Sequence, residues 1–177
     1  MAKETAIVYW LIPAKSEREL FRQLIRILAR EFDAPHFEPH LTLFATREAR
    51  LPPAKILQAF TASPVRLRIR GTAFSGKFTK TLFVRFESTQ ALEKLSSNLG
   101  QALGLRINSP RDPHVSLLYK KLPARIKKEL ATVIKLPFSA VTFDSVAAVR
   151  CVVPIRDRRG VETWKTVARR SLGGRSR

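Results

Sequence analysis

With 177 residues, 45% of them hydrophobic, the chain fits one globular domain of two lobes, and no apolar run approaches the roughly eighteen residues of a membrane helix. A single cysteine, Cys151, excludes an internal disulfide, and the first residues lack the apolar segment of a signal peptide, so we expect a cytoplasmic protein without membrane contact. The 33 lysines and arginines against 14 aspartates and glutamates give a net charge of +19, which favours phosphorylated partners, although a solvated basic surface also explains it.

The first part of the chain predicts a strand, a helix and a second strand. Residues Thr5 to Pro13 form an uninterrupted apolar run, which is typical of a buried strand. Ser16-Glu17-Arg18-Glu19 has the form of a capping box, so we predict a helix from Ser16 to about Phe32. Prolines on either side of His36 disfavour helix, so we predict a surface loop residue, with a substrate contact at the mouth of the site as the alternative. The extended segment Pro39 to Leu43 follows.

The middle of the chain predicts a short helix and a half-buried strand. Proline is tolerated in the first turn of a helix, so Pro52 to Phe60 is predicted as helical. From Val65 to Arg70, apolar residues alternate with arginines, which indicates a strand with one wet face. The following segment, Gly71 to Lys80, is rich in turn-forming residues.

The order of elements then repeats. Leu82 to Phe86 is an apolar strand, Ser88 opens an amphipathic helix to Leu103, and Pro113 to Leu117 copies the earlier Pro-His segment. The first apolar residue precedes the histidine by 33 residues in one half (40 − 7) and by 32 in the other (114 − 82). Pro123 to Ile134 repeats the short helix, so we predict that one unit is used twice.

Three more apolar or alternating runs follow, at Phe138 to Phe143, Val146 to Ile155 and Val161 to Leu172. Asp157 to Gly160 is predicted to turn the last two into a hairpin, and residues 173–177 are predicted to be a flexible basic tail. This order of elements predicts an α+β fold with pseudo-twofold symmetry, in which two antiparallel sheets carry helices on their outer faces and enclose a central cleft.

The two histidine strands share the form Pro-His-apolar-hydroxyl-Leu. Side chains two apart on a strand face the same side, so His40 lies beside Thr42 and His114 beside Ser116. Two imidazoles facing one cleft can divide acid and base work near neutral pH, and the hydroxyls can hydrogen-bond the oxygens of a phosphodiester. The sequence lacks a two-metal carboxylate cluster, zinc-ligand spacing, a phosphate-binding GxxxxGK[ST] loop and a GxSxG elbow, so we expect acid-base chemistry without metal or cofactor.

The motif pair and its flanks resemble the 2H phosphoesterase superfamily and, within it, the cyclic phosphodiesterases of plants and yeast. The matching flanks are Trp10 to Pro13, the Leu-Leu-Tyr ending of the second motif, and Glu162 to Ala168, so that the resemblance covers nearly the whole chain. It implies a bilobal fold, no metal requirement and ring-opening hydrolysis of cyclic phosphates. Substrates of the family include ADP-ribose 1″,2″-cyclic phosphate and nucleoside 2′,3′-cyclic phosphates.

The resemblance also assigns residues. His40 and His114 match the catalytic pair, Thr42 and Ser116 match the phosphate-binding hydroxyls, and Tyr119 matches the tyrosine that closes the second motif.

Three further positions are candidates for contacts with a base or ribose. Trp10 matches a tryptophan that borders the pocket in the family, and it can either stack on a base or pack in the core. Phe78 and Lys80 are the other two. A straight strand turns Tyr119 away from the face of the histidine, so a bulge or a turn after Leu118 is required for it to reach a phosphate.

Two departures from the plant members bear on the substrate. The chain lacks their additional cysteines, and it is much more basic, which favours an RNA end over a mononucleotide-sized substrate. We therefore expect a monomer whose partner is a nucleotide cyclic phosphate or an RNA terminus. Two alternatives stay open: an enzyme of the 2′-5′ RNA ligase-like branch that acts on RNA ends, and a module that binds RNA ends without catalysis.

Overall fold

A computed structural model describes residues 4–47 and 51–173 of the chain. The strands are β1 (Glu4–Pro13), β2 (Leu41–Thr46), β3 (Val65–Phe74), β4 (Leu82–Phe86), β5 (His114–Leu118), β6 (Ala140–Val153) and β7 (Lys165–Ser171). The helices are α1 (Lys15–Glu31), α2 (Pro53–Ala59), α3 (Gln90–Leu103), α4 (Ala124–Val133) and α5 (Arg158–Glu162), with a 3-10 turn at Phe78–Lys80. Of the predicted tail, residues 174–177 lie outside the described part. No helix among the described residues is long and apolar enough to cross a bilayer.

The predicted duplication is present as a unit of three strands and two helices that occurs twice. The order β1-α1-β2-α2-β3 recurs as β4-α3-β5-α4-β6, and β7 follows the second copy. The offset between equivalent positions is 74 residues at the two histidines (114 − 40) and 75 at the first residues of β3 and β6 (140 − 65). Equivalent strands of the two copies are therefore separated by a nearly constant number of residues in the sequence.

All strand pairs are antiparallel, which confirms the α+β prediction. The strands form one sheet in the order β1-β2-β5-β4-β3-β6-β7, and β1 also pairs with β6. Six strands thus close into a ring, with β7 outside it on β6. The two predicted half-sheets are hydrogen-bonded to each other where β2 meets β5 and where β3 meets β6. Both junctions join equivalent strands, so an approximate twofold axis passes through them.

The ring of strands separates two apolar clusters. The larger cluster joins one face of the strands to the helices; it contains Phe21 of α1 and Leu95 of α3. The smaller cluster lies on the other face, where Trp10 of β1 packs with Val149 and Cys151 of β6. Because strand side chains alternate between faces, the second cluster lies on the cleft side of β1 and β6.

The two helix starts that were predicted at serines, Ser16 and Ser88, are displaced. Ala14, not Ser16, is the N-cap of α1, and no side chain caps this helix. The N–H of Ala14 instead donates to the carbonyl of Thr142 on β6 at 2.7 Å, so a tertiary bond sets the start of the helix. In the second half Thr89, not Ser88, is the N-cap of α3, and its side chain accepts a backbone N–H at 3.2 Å.

The last predicted strands also differ from the structure. The runs Phe138 to Phe143 and Val146 to Ile155 belong to one strand, β6, because a bulge at Asp144 carries the chain through the polar residues between them. β6 and β7 pair as predicted, but Val161 belongs to α5 rather than to β7. Asp157 accepts the N–H of Gly160 at 2.9 Å and starts this short helix.

Candidate active site

The two histidine strands lie side by side where the halves of the sheet meet. Leu41 of β2 pairs with Val115 of β5, and both side chains are fully buried in the larger core. Their neighbours along each strand therefore face the opposite side, into a cavity of about 580 Å³. These neighbours are His40, Thr42, His114 and Ser116. In this antiparallel register the position across from His40 is that of Ser116, and the position across from His114 is that of Thr42.

The structure brings seven of the eight predicted site residues to this cavity. They are Trp10, His40, Thr42, Lys80, His114, Ser116 and Tyr119. Phe78 is not among the lining residues; its ring lies behind Tyr119, with centroids 6.1 Å apart. Its neighbours Lys77 and Thr79 line the cavity instead.

The two imidazoles are held in the same way. Nδ1 of His40 lies 2.6 Å from the carbonyl oxygen of Glu38, and Nδ1 of His114 lies 2.8 Å from that of Asp112. A carbonyl only accepts, so each Nδ1 carries the proton and each neutral ring keeps its lone pair on Nε2. Both rings are thus fixed in the tautomer that can take a proton at Nε2.

An aromatic residue backs each imidazole. Trp10 pairs with Thr42 across β1 and β2, and Phe83 pairs with Ser116 across β4 and β5, so the two aromatics occupy equivalent positions. The Trp10 ring is stacked on His40, with centroids 3.7 Å apart and an angle of 12° between the planes. Phe83 meets His114 edge-on at 5.2 Å. Of the two interpretations of Trp10, the structure favours packing, because His40 covers one face of its ring.

A bulge brings Tyr119 to the cavity. Phe83 pairs with Ser116 but Leu82 pairs with Leu118, so Leu117 is an extra residue that reverses the phase of the strand. The bulge required by the sequence is therefore present, one residue earlier than expected. β2 contains the same irregularity after its hydroxyl residue, and Ala45 lies there at the position equivalent to Tyr119.

The two hydroxyls differ in exposure. Thr42 is exposed, whereas Ser116 is buried and its Oγ donates to the carbonyl of Thr79 at 3.1 Å. Burial raises the pKa of Tyr119, which a hydrogen bond with Ser116 opposes, so its phenol is neutral and can donate. Ser116 would have to release the Thr79 carbonyl before it could donate to a bound phosphate.

His40 lies in an aromatic enclosure. Besides Trp10, the ring of Trp164 meets it edge-on at 5.6 Å and that of Phe37 at 6.3 Å. Burial lowers the pKa of His40 from 6.5 to about 4, and the nearby charge of His114 also lowers it. The hydrogen bond to the backbone carbonyl acts in the opposite direction but is outweighed. His40 is therefore neutral at pH 7.

His114 lies in a charged environment instead. Burial lowers its pKa, while the carbonyl and the carboxylate of Asp112 raise it. The positive charges of Lys80 and Arg85 lower it as well. The same two cations bind the carboxylate of Asp112, Lys80 at 2.5 Å and Arg85 at 2.9 Å. His114 is less buried than His40 and has an anion beside it, so it holds a proton more readily.

Sequence reasoning missed several residues that line the cavity, and three of them are aromatic or basic. Trp164 packs edge-on against Trp10 at 5.1 Å and against Tyr119 at 5.8 Å, and a signal for it existed, since it lies inside the matching Glu162 to Ala168 segment. Lys77 and Arg111 are the other two. Among the described residues, no group of three or more His, Cys, Asp or Glu side chains could hold a metal ion.

Comparisons with known proteins identify relatives, a fold and a family. The cyclic phosphodiesterase of Arabidopsis thaliana is 26% identical to this chain, and the match covers 94% of each protein. In fold, the chain resembles TT0787 of Thermus thermophilus with a TM-score of 0.58 at 20% identity, covering 97% of this chain and 100% of that one. It also resembles E. coli LigT complexed with 3′-AMP, with a TM-score of 0.57 at 13% identity and coverage of 98% and 100%. The family model of the 2′-5′ RNA ligase superfamily matches residues 12–152. The chain therefore belongs to the 2′-5′ RNA ligase superfamily, the group that its paired histidine motifs indicate.

Proposed function

We propose that this protein is a cyclic phosphodiesterase that opens a cyclic phosphate by acid-base catalysis with His40 and His114. One observation carries the proposal: both imidazoles line one cavity, and each is held through Nδ1 so that Nε2 is the nitrogen left for a ligand. The Arabidopsis relative, which bears the name cyclic phosphodiesterase, supports the same reaction. The substrates proposed are nucleoside 2′,3′-cyclic phosphates, ADP-ribose 1″,2″-cyclic phosphate and RNA ends with a cyclic phosphate.

In this mechanism His40 is the base. Its low pKa keeps Nε2 unprotonated at neutral pH, so it can accept a proton from the attacking water. The water oxygen then forms a bond to phosphorus. Stacking on Trp10 and the bond to the Glu38 carbonyl hold the ring so that only Nε2 faces the cavity. A group with so low a pKa is a weak base, and its fixed position compensates for part of that weakness.

His114 is the acid. A bound phosphodiester adds a negative charge beside the ring, which favours the protonated imidazole in addition to the effect of Asp112. As the bond from phosphorus to the ribose oxygen breaks, Nε2 of His114 gives its proton to that oxygen. His40 ends the step protonated and His114 neutral, and proton exchange with solvent restores both.

The hydroxyls and the tyrosine hold the non-bridging oxygens. Thr42 and Ser116 lie across the strand junction from the opposite histidine. Thr42 can donate to a phosphate placed between the imidazoles, and Ser116 can do so once its Oγ releases the Thr79 carbonyl. Tyr119 follows the bulge and adds a third donor on the same side as Ser116. Positive charge at Lys80 remains partly neutralised by Asp112.

The test is the pH dependence of kcat/KM for adenosine 2′,3′-cyclic phosphate, with EDTA present. The wild-type profile of kcat/KM against pH should be bell-shaped. It should fall below about pH 4 as His40 gains a proton, and it should fall at higher pH as His114, whose pKa is lowered from 6.5, loses its proton. His40→Ala and His114→Ala should each lose roughly 10²- to 10⁴-fold and one limb of the bell. His36→Ala is the matched control, since His36 is exposed and does not line the cavity.

Full activity in either cavity variant would reject the two-histidine mechanism. Absence of turnover of cyclic nucleotides, ADP-ribose cyclic phosphate and cyclic-ended oligonucleotides, together with binding of such oligonucleotides, would instead favour the non-catalytic module. Turnover of the oligonucleotides alone would favour the branch that acts on RNA ends.

A further inference from the structure

A buried hydroxyl joins the turn before β4 to the end of β5. Thr81 is 2% exposed, and its Oγ1 lies within hydrogen-bond distance of three backbone carbonyl oxygens. These belong to Lys77 at 3.2 Å, Phe78 at 3.0 Å and Lys120 at 2.9 Å. The same Oγ1 accepts the N–H of Lys120 at 3.3 Å. Since Lys120 lies 39 residues further along the chain, one side chain connects two segments that are distant in the sequence.

The Thr81 side chain acts where the backbone pairing of β4 with β5 stops. Leu82 still pairs with Leu118, but Thr81 has the helical backbone angles φ −69° and ψ −50° and lies outside the strand. Its carbonyl accepts the N–H of Ser75 at 3.1 Å instead of continuing the ladder. A backbone N–H or carbonyl that leaves a sheet needs another partner. For Lys120, the hydroxyl of Thr81 is a partner of both groups.

Each of the two segments that Thr81 joins places one donor of the proposed phosphate site. The turn holds Ser116, because the carbonyl of Thr79 accepts from Ser116 Oγ at 3.1 Å. The end of β5 is followed by Tyr119, which directly precedes Lys120 and lines the cavity. Thr81 itself does not line the cavity. Its hydroxyl can therefore influence the reaction only through the residues that it positions.

The first half of the chain has no hydroxyl at the equivalent position. Trp10 is equivalent to Phe83, so the residue equivalent to Thr81 is Val8. Val8 lies within β1 and pairs with Ala45, so the backbone ladder continues there and needs no side chain. The link through Thr81 thus occurs in the half that carries a tyrosine, rather than an alanine, after the hydroxyl of the histidine strand. This difference favours a role in the site over simple inheritance from the duplication.

We propose that Thr81 is a positioning residue that holds Ser116 and Tyr119 in place to bind the non-bridging oxygens of the substrate. This inference rests on the proposed function. Without the hydroxyl, the Thr81 side chain would no longer tie the turn to Lys120, so the Thr79 carbonyl and the Tyr119 phenol would shift relative to each other. A displacement of about 1 Å in a site can cost roughly 10²-fold in rate. No charge is removed, so both limbs of the pH profile of kcat/KM should stay at the same pH.

The test is a double-mutant cycle on kcat/KM for adenosine 2′,3′-cyclic phosphate. Thr81→Val keeps the shape of the side chain and removes its hydroxyl, so kcat/KM should fall roughly 10- to 100-fold. In the background S116A/Y119F, which lacks both positioned donors, the same substitution should lower kcat/KM by no more than about twofold. A residue that only stabilises the fold would lower it by the same factor in both backgrounds. Thr81→Ser keeps the hydroxyl and should retain kcat/KM within about threefold of the wild type.

Two further measurements cover a variant that does not fold and a background that turns over too slowly. Ser75→Ala loosens the same turn, because Ser75 Oγ accepts the N–H of Lys77 at 3.1 Å. It should lower kcat/KM roughly threefold in the wild type but not in the background without the two donors, and an equal fall in both would overturn the role of the turn. Calorimetric titration with inorganic phosphate needs no turnover, and Thr81→Val should raise its Kd about 3- to 10-fold in the wild type only.

Thr132→Val is the matched control. Thr132 Oγ1 also donates to a backbone carbonyl, that of Lys128 at 2.9 Å, but it is exposed on α4 and does not line the cavity. Its kcat/KM should stay within about twofold of the wild type. An equal loss on Thr81→Val in both backgrounds, or no loss in either, would overturn the positioning role while turnover by the wild type still supports the enzyme. Absence of turnover by the wild type would overturn the proposed function and this inference with it.

Discussion

The burial of His40 makes a quantitative prediction about folding stability. Burial lowers its pKa from 6.5 to about 4, whereas in the unfolded chain the imidazole is solvated and titrates near 6.5. Between these pH values the unfolded chain binds a proton that the folded protein does not bind. Folding must therefore become less favourable as pH falls from about 6.5 to about 4, and it is unaffected by this group above that range.

The size of the effect follows from the two pKa values. One pKa unit corresponds to about 1.4 kcal/mol, so the change from 6.5 to about 4 corresponds to roughly 3 kcal/mol of unfolding free energy lost by pH 4. For a domain whose total stability is about 5 to 15 kcal/mol, this loss is large. The aromatic rings of Trp10 and Trp164 are the physical cause, since they replace the water that would solvate an imidazolium.

His40→Asn isolates the contribution, because its amide N–H can still donate to the Glu38 carbonyl but does not titrate. Urea denaturation at pH 7 and pH 4 should show that the wild type loses about 3 kcal/mol more than the variant. Carboxylates titrate in both proteins and cancel in this difference. His36→Asn is the control, because His36 is exposed and does not line the cavity; it should lose as much stability between pH 7 and pH 4 as the wild type. An equal loss in the wild type and His40→Asn would refute the reasoning and remove the basis for choosing His40 as the base.

Three other substitutions test how the site is positioned and how the fold is packed. Asp112→Asn removes a charge that raises the pKa of His114, so the alkaline limb of kcat/KM should move to lower pH; an unmoved limb would contradict this role. Arg22→Met removes the ion pair with Glu38, whose backbone carbonyl holds the ring of His40. It should lower kcat/KM roughly tenfold while the urea midpoint changes little, and an unchanged kcat/KM would show that this ion pair does not position the ring. Gly100→Ala would place a Cβ 2.6 Å from the carbonyl oxygen of Leu105, so urea denaturation should show a loss of about 1 to 3 kcal/mol; unchanged stability would mean that the backbone there yields.

The duplicated unit was predictable because its signals are local. The bounds of β4, Leu82–Phe86, agree with the predicted strand at both ends. In β3 the predicted wet face is found, since Arg66 and Arg68 are exposed and Leu67 between them is buried. Such alternation depends only on neighbouring residues, and a repeat doubles the number of observations that must agree.

Features that depend on distant residues were not predictable. A capping box at Ser16 is a sound local expectation, but Ala14 is bound to Thr142, a residue of β6 far along the sequence. The bulge at Asp144 likewise exists only through the register of β6 with β1. The sequence shows how strongly each residue favours a given local conformation. A tertiary hydrogen bond then decides between conformations whose free energies differ by about 1 kcal/mol.

The site residues also divide into those that local sequence marks and those that depend on distant residues. The histidines and hydroxyls are marked by their spacing within one strand. Trp164 is not marked in this way, because what makes it a site residue is its placement beside Trp10 and His40, which come from the other half of the chain. Tyr119 is intermediate: the strand period shows that a bulge must exist, but the pairing with β4 is needed to show where it is.

Duplication alone would not explain the division into one acid and one base that we propose. A perfect twofold cavity would give both imidazoles the same pKa and would bind a substrate equally well in two opposite orientations, only one of which is productive for a given proton distribution. The structure departs from this symmetry at the two ends of the cavity. Phe37 contributes to the aromatic enclosure of His40, and the equivalent residue Arg111 stands beside the charged cluster around His114. The difference between Phe37 and Arg111 therefore distinguishes the two ends of the cavity, and under the proposed mechanism it would favour one of the two orientations of the substrate.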